Sequence, residues 1–199
     1  MIKTAIFLLS CLLATSATAS EFFETKADII KALKGENKSL GKKRSLFGDK
    51  KVRGLKRKKT VMVMKTDDVS GKTSKISYTT GDEIGSANMR VEFDLGSAQL
   101  RKTSYPLLDE LGKALNDPDL NNKKLIIAGH TDDLGDNEYN MNLSLQRAHA
   151  VRYYLNKKYS IHKNRLETLG FGEENPLVNN SNNVNRQMNR RVEIIHGAQ

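Results

Sequence analysis

The spacing of apolar and polar residues in the C-terminal half of the chain predicts alternating strands and helices. Residues 89–93 alternate between apolar and polar side chains, as a strand with one buried face does. Residues 107–115 carry apolar side chains at intervals of three and four, which predicts a helix with one buried face. Residues 124–129 form a short apolar run that suits a strand buried on both faces. The pattern therefore indicates a folded unit that begins near residue 88.

Three further elements complete this unit. The pattern predicts a second helix over residues 139–157, a strand over 165–169 and, after a loop rich in glycine and asparagine, a last strand over 191–195. The order βαβαββ predicts an α/β fold, a two-layer sandwich with the helices on one face of a mixed sheet. We assign this domain to residues 88–199, which is a normal length for one domain.

The first nineteen residues have the pattern of a secretory signal peptide. Lys3 precedes an apolar run over residues 5–14, and Ala17-Thr18-Ala19 forms a cleavage pattern of small residues. The run is shorter than the roughly 20 apolar residues that span a bilayer. We therefore expect an exported protein from which residues 1–19 are removed. Cys11 lies early, inside the apolar run, and is a poor candidate for lipid attachment.

The positive charge of the chain is concentrated in its N-terminal part. Residues 20–65 contain 15 lysines and arginines and 5 acidic residues, whereas residues 66–199 contain 17 and 18. The net charge of +10 therefore belongs to the first of these segments, and it is densest over residues 42–59. Such a segment is either a solvated linker or an arm that attracts anionic surfaces.

We interpret residues 20–87 as a basic, poorly structured N-terminal arm or linker with short local structure. Apolar residues at helical spacing predict one short helix over residues 27–33. Residues 61–64 and 75–78 are candidates for short strands around a turn at Ser70-Gly71.

A polar loop that follows the apolar strand is the candidate binding site. Residues 129–136 (GHTDDLGD) lie at the carboxyl end of this strand, where open α/β sheets bind ligands. At about 100° per residue, Arg147 of the second helix falls on the same face as apolar Leu143. A buried charge needs an anionic partner. Asp132 is either its structural ion-pair partner or the second half of a site for a zwitterion, in which Asp132 binds an ammonium and Arg147 a carboxylate.

Two helix geometries can bring Arg147 to this loop. If the helix starts near Asn137, Arg147 lies about 15 Å along its axis and the loop must fold back along the helix. If the helix breaks and restarts with Ser144 as its N-cap, Arg147 lies in the first turn beside the loop. The sequence does not distinguish between the two.

Metal and catalytic sites fit these residues poorly. His130 and the acidic residues near it do not have the spacing of an EF-hand loop, and no second histidine follows at helical spacing. Ser144 does not lie in a nucleophile-elbow motif. A single cysteine excludes disulfide frameworks and cysteine-based zinc sites. We therefore predict no catalytic residues, no metal, no cofactor and no enzymatic activity.

Five ordered blocks carry a resemblance to a known family. They are Phe93-Asp94-x-Gly-Ser97-Ala98-x-Leu100, Gly129-His130-Thr131-Asp132-x-x-Gly135, Asn140-x-x-Leu143-Ser144-x-x-Arg147-Ala148-x-x-Val151-x-x-x-Leu155, Gly170-x-Gly172-x-x-x-Pro176 and Asn189-Arg190-Arg191-Val192-Glu193. The segment 91–195 resembles the C-terminal peptidoglycan-binding domain of outer membrane protein A, which peptidoglycan-associated lipoproteins and flagellar stator proteins share. The resemblance implies an OmpA-like fold for this segment.

The resemblance also implies a function and a set of site residues. It implies non-covalent, non-catalytic binding of the diaminopimelate-containing stem peptide of peptidoglycan. Asp132 and Arg147 align with the family residues that hold the diaminopimelate end, Asn140 and Arg190 align with positions that line the pocket, and Asp94 lies near it. The expected location is the periplasm, where the protein links the cell envelope to the wall and can associate with the outer membrane.

The basic arm leaves an alternative function open. Its charge would suit docking to outer-membrane proteins or anionic surfaces, with the folded domain in a minor role. We expect no nucleic-acid partner, because an exported protein rarely meets chromosomal DNA. A steep fall of binding with ionic strength would distinguish this alternative from recognition of a stem peptide.

Overall fold

The computed structural model describes residues 22–36, 58–80 and 83–197. The predicted signal peptide and residues 42–57 of the basic segment lie outside these ranges. Within them, no helix has both the length and the apolar composition that crossing a bilayer requires.

The described residues form four α-helices and six β-strands. In chain order they are α1 (Lys26–Leu33), β1 (Lys59–Thr66), β2 (Thr73–Thr80), β3 (Glu83–Met89), α2 (Tyr105–Leu115), β4 (Leu125–Gly129), α3 (Asn137–Tyr159), β5 (Leu166–Gly170), α4 (Asn183–Asn189) and β6 (Val192–Gly197).

The strands form one mixed sheet in the order β2-β1-β5-β4-β6-β3. Strands β4 and β5 are parallel and are joined by α3, whereas the other neighbours are antiparallel. Strand β4 lies in the middle, with buried neighbours on both sides, which explains its continuous apolar run. The predicted mixed sheet, with α/β alternation and helices packed on one face, is confirmed.

The helices bury their apolar stripes against one face of the sheet. Helices α1, α2 and α3 share a core with alternate residues of the central strands, including Leu125 and Ile127 of β4 and Val192 and Ile194 of β6. Thr25 caps the N-terminus of α1 by accepting a hydrogen bond from the Asp28 N–H, which fixes where that helix begins.

The hairpin of β1 and β2 covers part of the other face. Val61 and Val63 pack against Ala128, Phe171 and Ile195, which point away from the helices. Only residues 81–82 join β2 to β3, so Thr80 and Glu83 lie within about 11 Å, whereas the edges of a flat six-stranded sheet are about 24 Å apart. The sheet is therefore strongly curled, and the hairpin folds over its concave face.

Several boundaries differ from the sequence-based expectation. A strand was expected over residues 89–93, but β3 runs from Glu83 to Met89. It ends there because the chain turns at Val91 and the Glu92 N–H bonds to Ser104. The boundary placed at residue 88 therefore falls inside β3. Strands β1 and β2, assigned to the arm, belong to the sheet. Helix α4 lies in the region expected to be loop.

Candidate functional site

A cavity of about 460 Å³ opens where β4, α3 and the residue 90–101 segment meet. Five arginines but only two acidic side chains line it, so an anionic group is favoured inside; these are Arg90, Arg101, Arg147, Arg190, Arg191, Glu92 and Asp132. Exposed apolar side chains at its rim include Leu95, Leu134 and Tyr139. Exposed apolar surface around a polar cavity is typical of a binding site.

The loop after β4 presents Asp132 to this cavity. The Thr131 N–H donates to the Gly172 carbonyl (2.9 Å), and Asp136 caps α3 through the N–H groups of Glu138 and Tyr139. These bonds fix both ends of the loop. Asp132 is 7% exposed, and one of its carboxylate oxygens accepts a hydrogen bond from the Leu134 N–H (3.2 Å).

Arg147 lies in the same cavity and is 8% exposed, as its position on the buried face of the helix predicts. Its Nε donates to the Ser97 carbonyl (3.1 Å), and its guanidinium lies 5.0 Å from the centre of the Phe93 ring. Among the described residues, neither terminal nitrogen has a hydrogen-bond partner, and no carboxylate lies within ion-pair distance. The fork of the guanidinium is therefore available to a ligand.

Arg147 is held charged in spite of its burial. Burial lowers its pKa, and repulsion from Arg190 adds to this effect, whereas attraction to Asp132 opposes it. A guanidinium does not lose its proton at neutral pH even when its pKa falls. The desolvation therefore persists as a cost that a bound anion would offset.

Asp132 is already paired with a different arginine. Arg190, which directly follows α4, donates from one Nη to Asp132 and from the other to Gln187. Arg190 was expected to line the pocket, but its ion pair with Asp132 was not predicted from the sequence. Asp132 and Arg147 thus line one cavity without bonding to each other.

The two remaining candidates occupy different positions. Asn140 is buried, and its amide donates to the Leu134 carbonyl (3.1 Å) and to Glu173 (2.8 Å), so it braces the loop as well as lining the cavity. Asp94 does not line the cavity. It is exposed and accepts a bond from Arg101 (3.2 Å), which does line it.

Helix α3 is continuous from Asn137 to Tyr159, so the first of the two predicted geometries is the correct one. Ser144 is not an N-cap. Its hydroxyl donates to the Met141 carbonyl (2.8 Å) and accepts from the Gly172 N–H (2.9 Å), which holds the helix against the loop after β5. Arg147 reaches the loop because helical side chains point back toward the N-terminus.

His130, a buried residue that lines the cavity, is paired with Glu193. His130 Nε2 is 3.4 Å from a carboxylate oxygen of Glu193, and the imidazole contacts Phe171. Burial, with a smaller contribution from the nearby Arg191, lowers the pKa of His130 to about 4. Burial alone would raise the pKa of Glu193, but His130 and Arg191 outweigh it and lower this pKa to about 2.

Several residues that shape the site were not predicted from the sequence. Arg90 and Arg101 add positive charge to the cavity, and the Ser97 carbonyl positions Arg147. Arg101 directly follows a block that the sequence analysis quoted, and its charge beside that block was an available signal. The contact of Ser97 with α3 depends on the tertiary fold and left no signal in the spacing.

Comparisons with known proteins identify the family of the segment that forms this site. Residues 92–190 match the sequence model of the OmpA family, and this part of the chain belongs to that family. The match begins just after β3 and ends at Arg190, so it includes Asp132, Asn140 and Arg147.

Two curated relatives and one solved structure illustrate the similarity. Outer membrane protein A of Bordetella avium is 39% identical over 102 residues, which are 51% of this chain and 51% of that protein. The peptidoglycan-associated lipoprotein of Pseudomonas putida is 33% identical over 102 residues, 51% of this chain and 59% of that protein. The chain therefore spans less than two thirds of each curated relative. The periplasmic domain of Helicobacter pylori MotB (residues 78–256) has a TM-score of 0.51 at 21% identity, covering 68% of this chain and 88% of that one, and supports the fold alone.

Proposed function

We propose that the chain binds peptidoglycan non-covalently in the periplasm and so anchors part of the cell envelope to the wall. The observation that carries this proposal is the unpartnered fork of Arg147 in a cationic cavity beside Asp132, within a domain of the OmpA family. The name of the peptidoglycan-associated lipoprotein relative supports the same ligand.

The ligand group that fits best is the free end of diaminopimelate in the stem peptide. This end carries an ammonium and a carboxylate on one carbon. The two terminal nitrogens of Arg147 suit a bidentate bond to the carboxylate, and Asp132 suits the ammonium. The desolvation of Arg147 would be offset when the carboxylate enters.

The pairing of Asp132 with Arg190 adds a step to this mechanism. The ligand ammonium would take over the carboxylate oxygen that Arg190 occupies. The Arg190 side chain is 37% exposed, so it has room to turn toward the ligand carboxylate. The site would then hold the carboxylate between two arginines and the ammonium on one aspartate.

The chain would act as a binding protein and not as an enzyme. The residues in the cavity hold charges and position a loop, and none of them combines a nucleophile with a general base. Asn140 and Ser144 keep the loop and the helix in register. Such preorganisation favours reversible recognition of a preformed ligand.

Pull-down with purified sacculi tests the proposal. Asp132→Ala and Arg147→Ala should each weaken binding by roughly ten- to a hundredfold, the range for loss of a charge-assisted hydrogen bond. Asp133→Ala and Arg186→Ala are matched controls, because this neighbouring ion pair (2.9 Å) does not line the cavity. Wild-type binding by the Asp132 and Arg147 variants, with both proteins folded, would refute the assignment.

The charge of residues 42–59 supports a second proposal, that the chain docks to anionic partners. Glutamine in place of the lysines and arginines of this segment should then abolish binding, while Arg147→Ala leaves it intact. Binding by the charged segment would also fall steeply between 50 and 200 mM salt, the kind of range over which polyanion contacts weaken. Stem-peptide recognition gives the opposite result for both variants.

A further inference from the structure

A second concave surface lies next to the cavity, on the other side of the residue 93–101 segment. We call this surface the tyrosine groove; its main lining residues are Leu100, Tyr105, Ala150, Tyr153, Tyr154 and Lys157. Its volume is about 810 Å³, and most of its surface is apolar. Helix α3 forms one wall of both the cavity and the groove, so the two are neighbouring parts of one surface.

Three tyrosine rings line the groove, and one of them is well exposed. Tyr153 on α3 is 65% exposed. Tyr105 and Tyr154 stack in parallel, with ring centres 5.3 Å apart. The Lys157 ammonium lies 5.5 Å from the centre of the Tyr153 ring. The groove therefore offers an exposed tyrosine ring with an ammonium over one of its faces and a stacked pair of tyrosines beside it.

This combination matches a sugar ring more closely than a purely apolar partner. A pyranose has a face of C–H groups and an edge of hydroxyl and amide groups. The C–H face can lie on a tyrosine ring while the polar edge bonds to groups at the rim, because tyrosine has an apolar body and a polar end. The groove thus suits a chain of amino sugars.

The stem peptide is long enough to reach from the cavity to the groove. Tyr153 follows Arg147 by six residues, which is about 9 Å along α3 and about 120° around its axis, so a ligand must pass along and around the helix. In peptidoglycan a lactyl group, two amino acids and the side chain of diaminopimelate separate the sugar from the free end. The first three units alone span about 10 Å when extended, and the side chain adds to this reach. A stem peptide whose end lies at Arg147 can therefore place its sugar beside Tyr153.

We propose that the tyrosine groove binds the glycan strand of the same peptidoglycan whose stem peptide occupies the cavity. This inference rests on the proposed function and extends it from one amino-acid end to the peptide and its sugar. Leu95 and Leu134, both exposed at the rim of the cavity, provide apolar contacts along the stem peptide.

Two ligands that differ only in their sugar test the inference. The first is the tripeptide L-alanyl-γ-D-glutamyl-meso-diaminopimelate, and the second is the same tripeptide on N-acetylglucosaminyl-N-acetylmuramic acid. Calorimetric titration of the full chain should show about three- to tenfold tighter binding of the sugar-bearing ligand, the range expected for one ring stacking on an aromatic face. Tyr153→Ala should remove this difference and leave tripeptide binding unchanged.

The matched variant Tyr153→Phe keeps the ring and should keep most of the difference. Thermal unfolding should be unaltered in both variants, because the ring is mostly exposed and alanine favours a helix. Equal affinity of the wild type for the two ligands, or an undiminished sugar effect in Tyr153→Ala, would overturn the inference.

The test separates the two proposals. If only the sugar-bearing ligand binds and this binding depends on Tyr153 but not on Arg147, the groove assignment stands and the cavity assignment fails. If both ligands bind equally and depend on Arg147, the cavity assignment stands and the groove assignment fails. If neither ligand binds, both are wrong.

Discussion

At the scale of single residues, Arg147 shows how much of the site the sequence reveals. Its helical position predicts a buried cation, and burial of a charge predicts an anionic partner. The structure confirms the burial, but Asp132 is paired with Arg190 and not with Arg147. That pairing depends on where α4 places Arg190, and a local sequence pattern carries no information on it.

The shape of the Arg147 side chain, and not only its charge, should determine binding. Arg147→Lys keeps the positive charge but loses the two-pronged donor and most of the stacking on Phe93. We expect affinity for the tripeptide to fall by about tenfold or more, a change typical of losing one charge-assisted bond. Calorimetric titration measures it, and Arg186→Lys, which lies outside the cavity, is the control. Equal affinities of Arg147→Lys and wild type would mean that charge alone is recognised.

The buried imidazole of His130 should make stability depend on pH. Its pKa falls from an ordinary 6.5 to about 4 in the folded protein because the charged form is desolvated. Between these two pH values the unfolded chain binds the proton and the folded chain does not, so stability decreases as pH falls from 6.5 to 4. The loss is about 3 kcal/mol by pH 4. Urea unfolding across this range should show the slope, and His130→Gln should flatten it. An unchanged slope in the variant would assign the effect to other groups.

At the scale of elements, the predictions were best where one strongly periodic segment determines the structure. The patterns of α2, α3 and β4 identify these elements to within about two residues, because each buries one regular face or run. The pattern of β3 was misleading, since the alternating residues 89–93 follow the strand and do not form it. Gly85 had no side chain to reveal the packing of β3 against α1, where a Cβ would lie 2.0 Å from the Ala32 carbonyl oxygen.

The close approach of α3 to β4 requires a glycine at the end of the strand. A Cβ on Gly129 would lie 2.0 Å from the Ser144 carbonyl oxygen, a main-chain atom that cannot move alone. Gly129→Ala should therefore push α3 away, lower stability by several kcal/mol and weaken ligand binding, as overpacking of a tight contact does. Gly197→Ala is the control, because no atom lies within 4 Å of its added Cβ. Thermal unfolding compares the two. Similar melting temperatures would show that α3 can shift without cost.

At the scale of the whole molecule, the sheet has two unlike faces. The helices cover one face, and the β1–β2 hairpin folds over the other. The sequence indicated two short strands near residues 61–64 and 75–78, but it did not show that they join the sheet at β5. The order of the strands and the curl of the sheet come from contacts between segments that are distant in the sequence. The short connection of residues 81–82 indicates the curl only once it is known that β2 and β3 are the two edge strands.

This arrangement predicts that the hairpin is a structural part of the domain. Val63 is fully buried on the concave face, whereas its neighbour Met62 is 45% exposed on the opposite side of the same strand. Val63→Ala should lower the free energy of unfolding by about 2 kcal/mol, because it leaves a cavity between the hairpin and Phe171. Met62→Ala should change it by less than about 0.5 kcal/mol, as exposed substitutions do. Denaturant unfolding of the full chain measures both, and one cooperative transition is expected because hairpin and domain share a core.

If Val63→Ala were no more destabilising than Met62→Ala, the side chains of the hairpin would not be packed against the core of the sheet. In that case the segment before residue 83 would be an independent arm, as the composition of the chain first suggested.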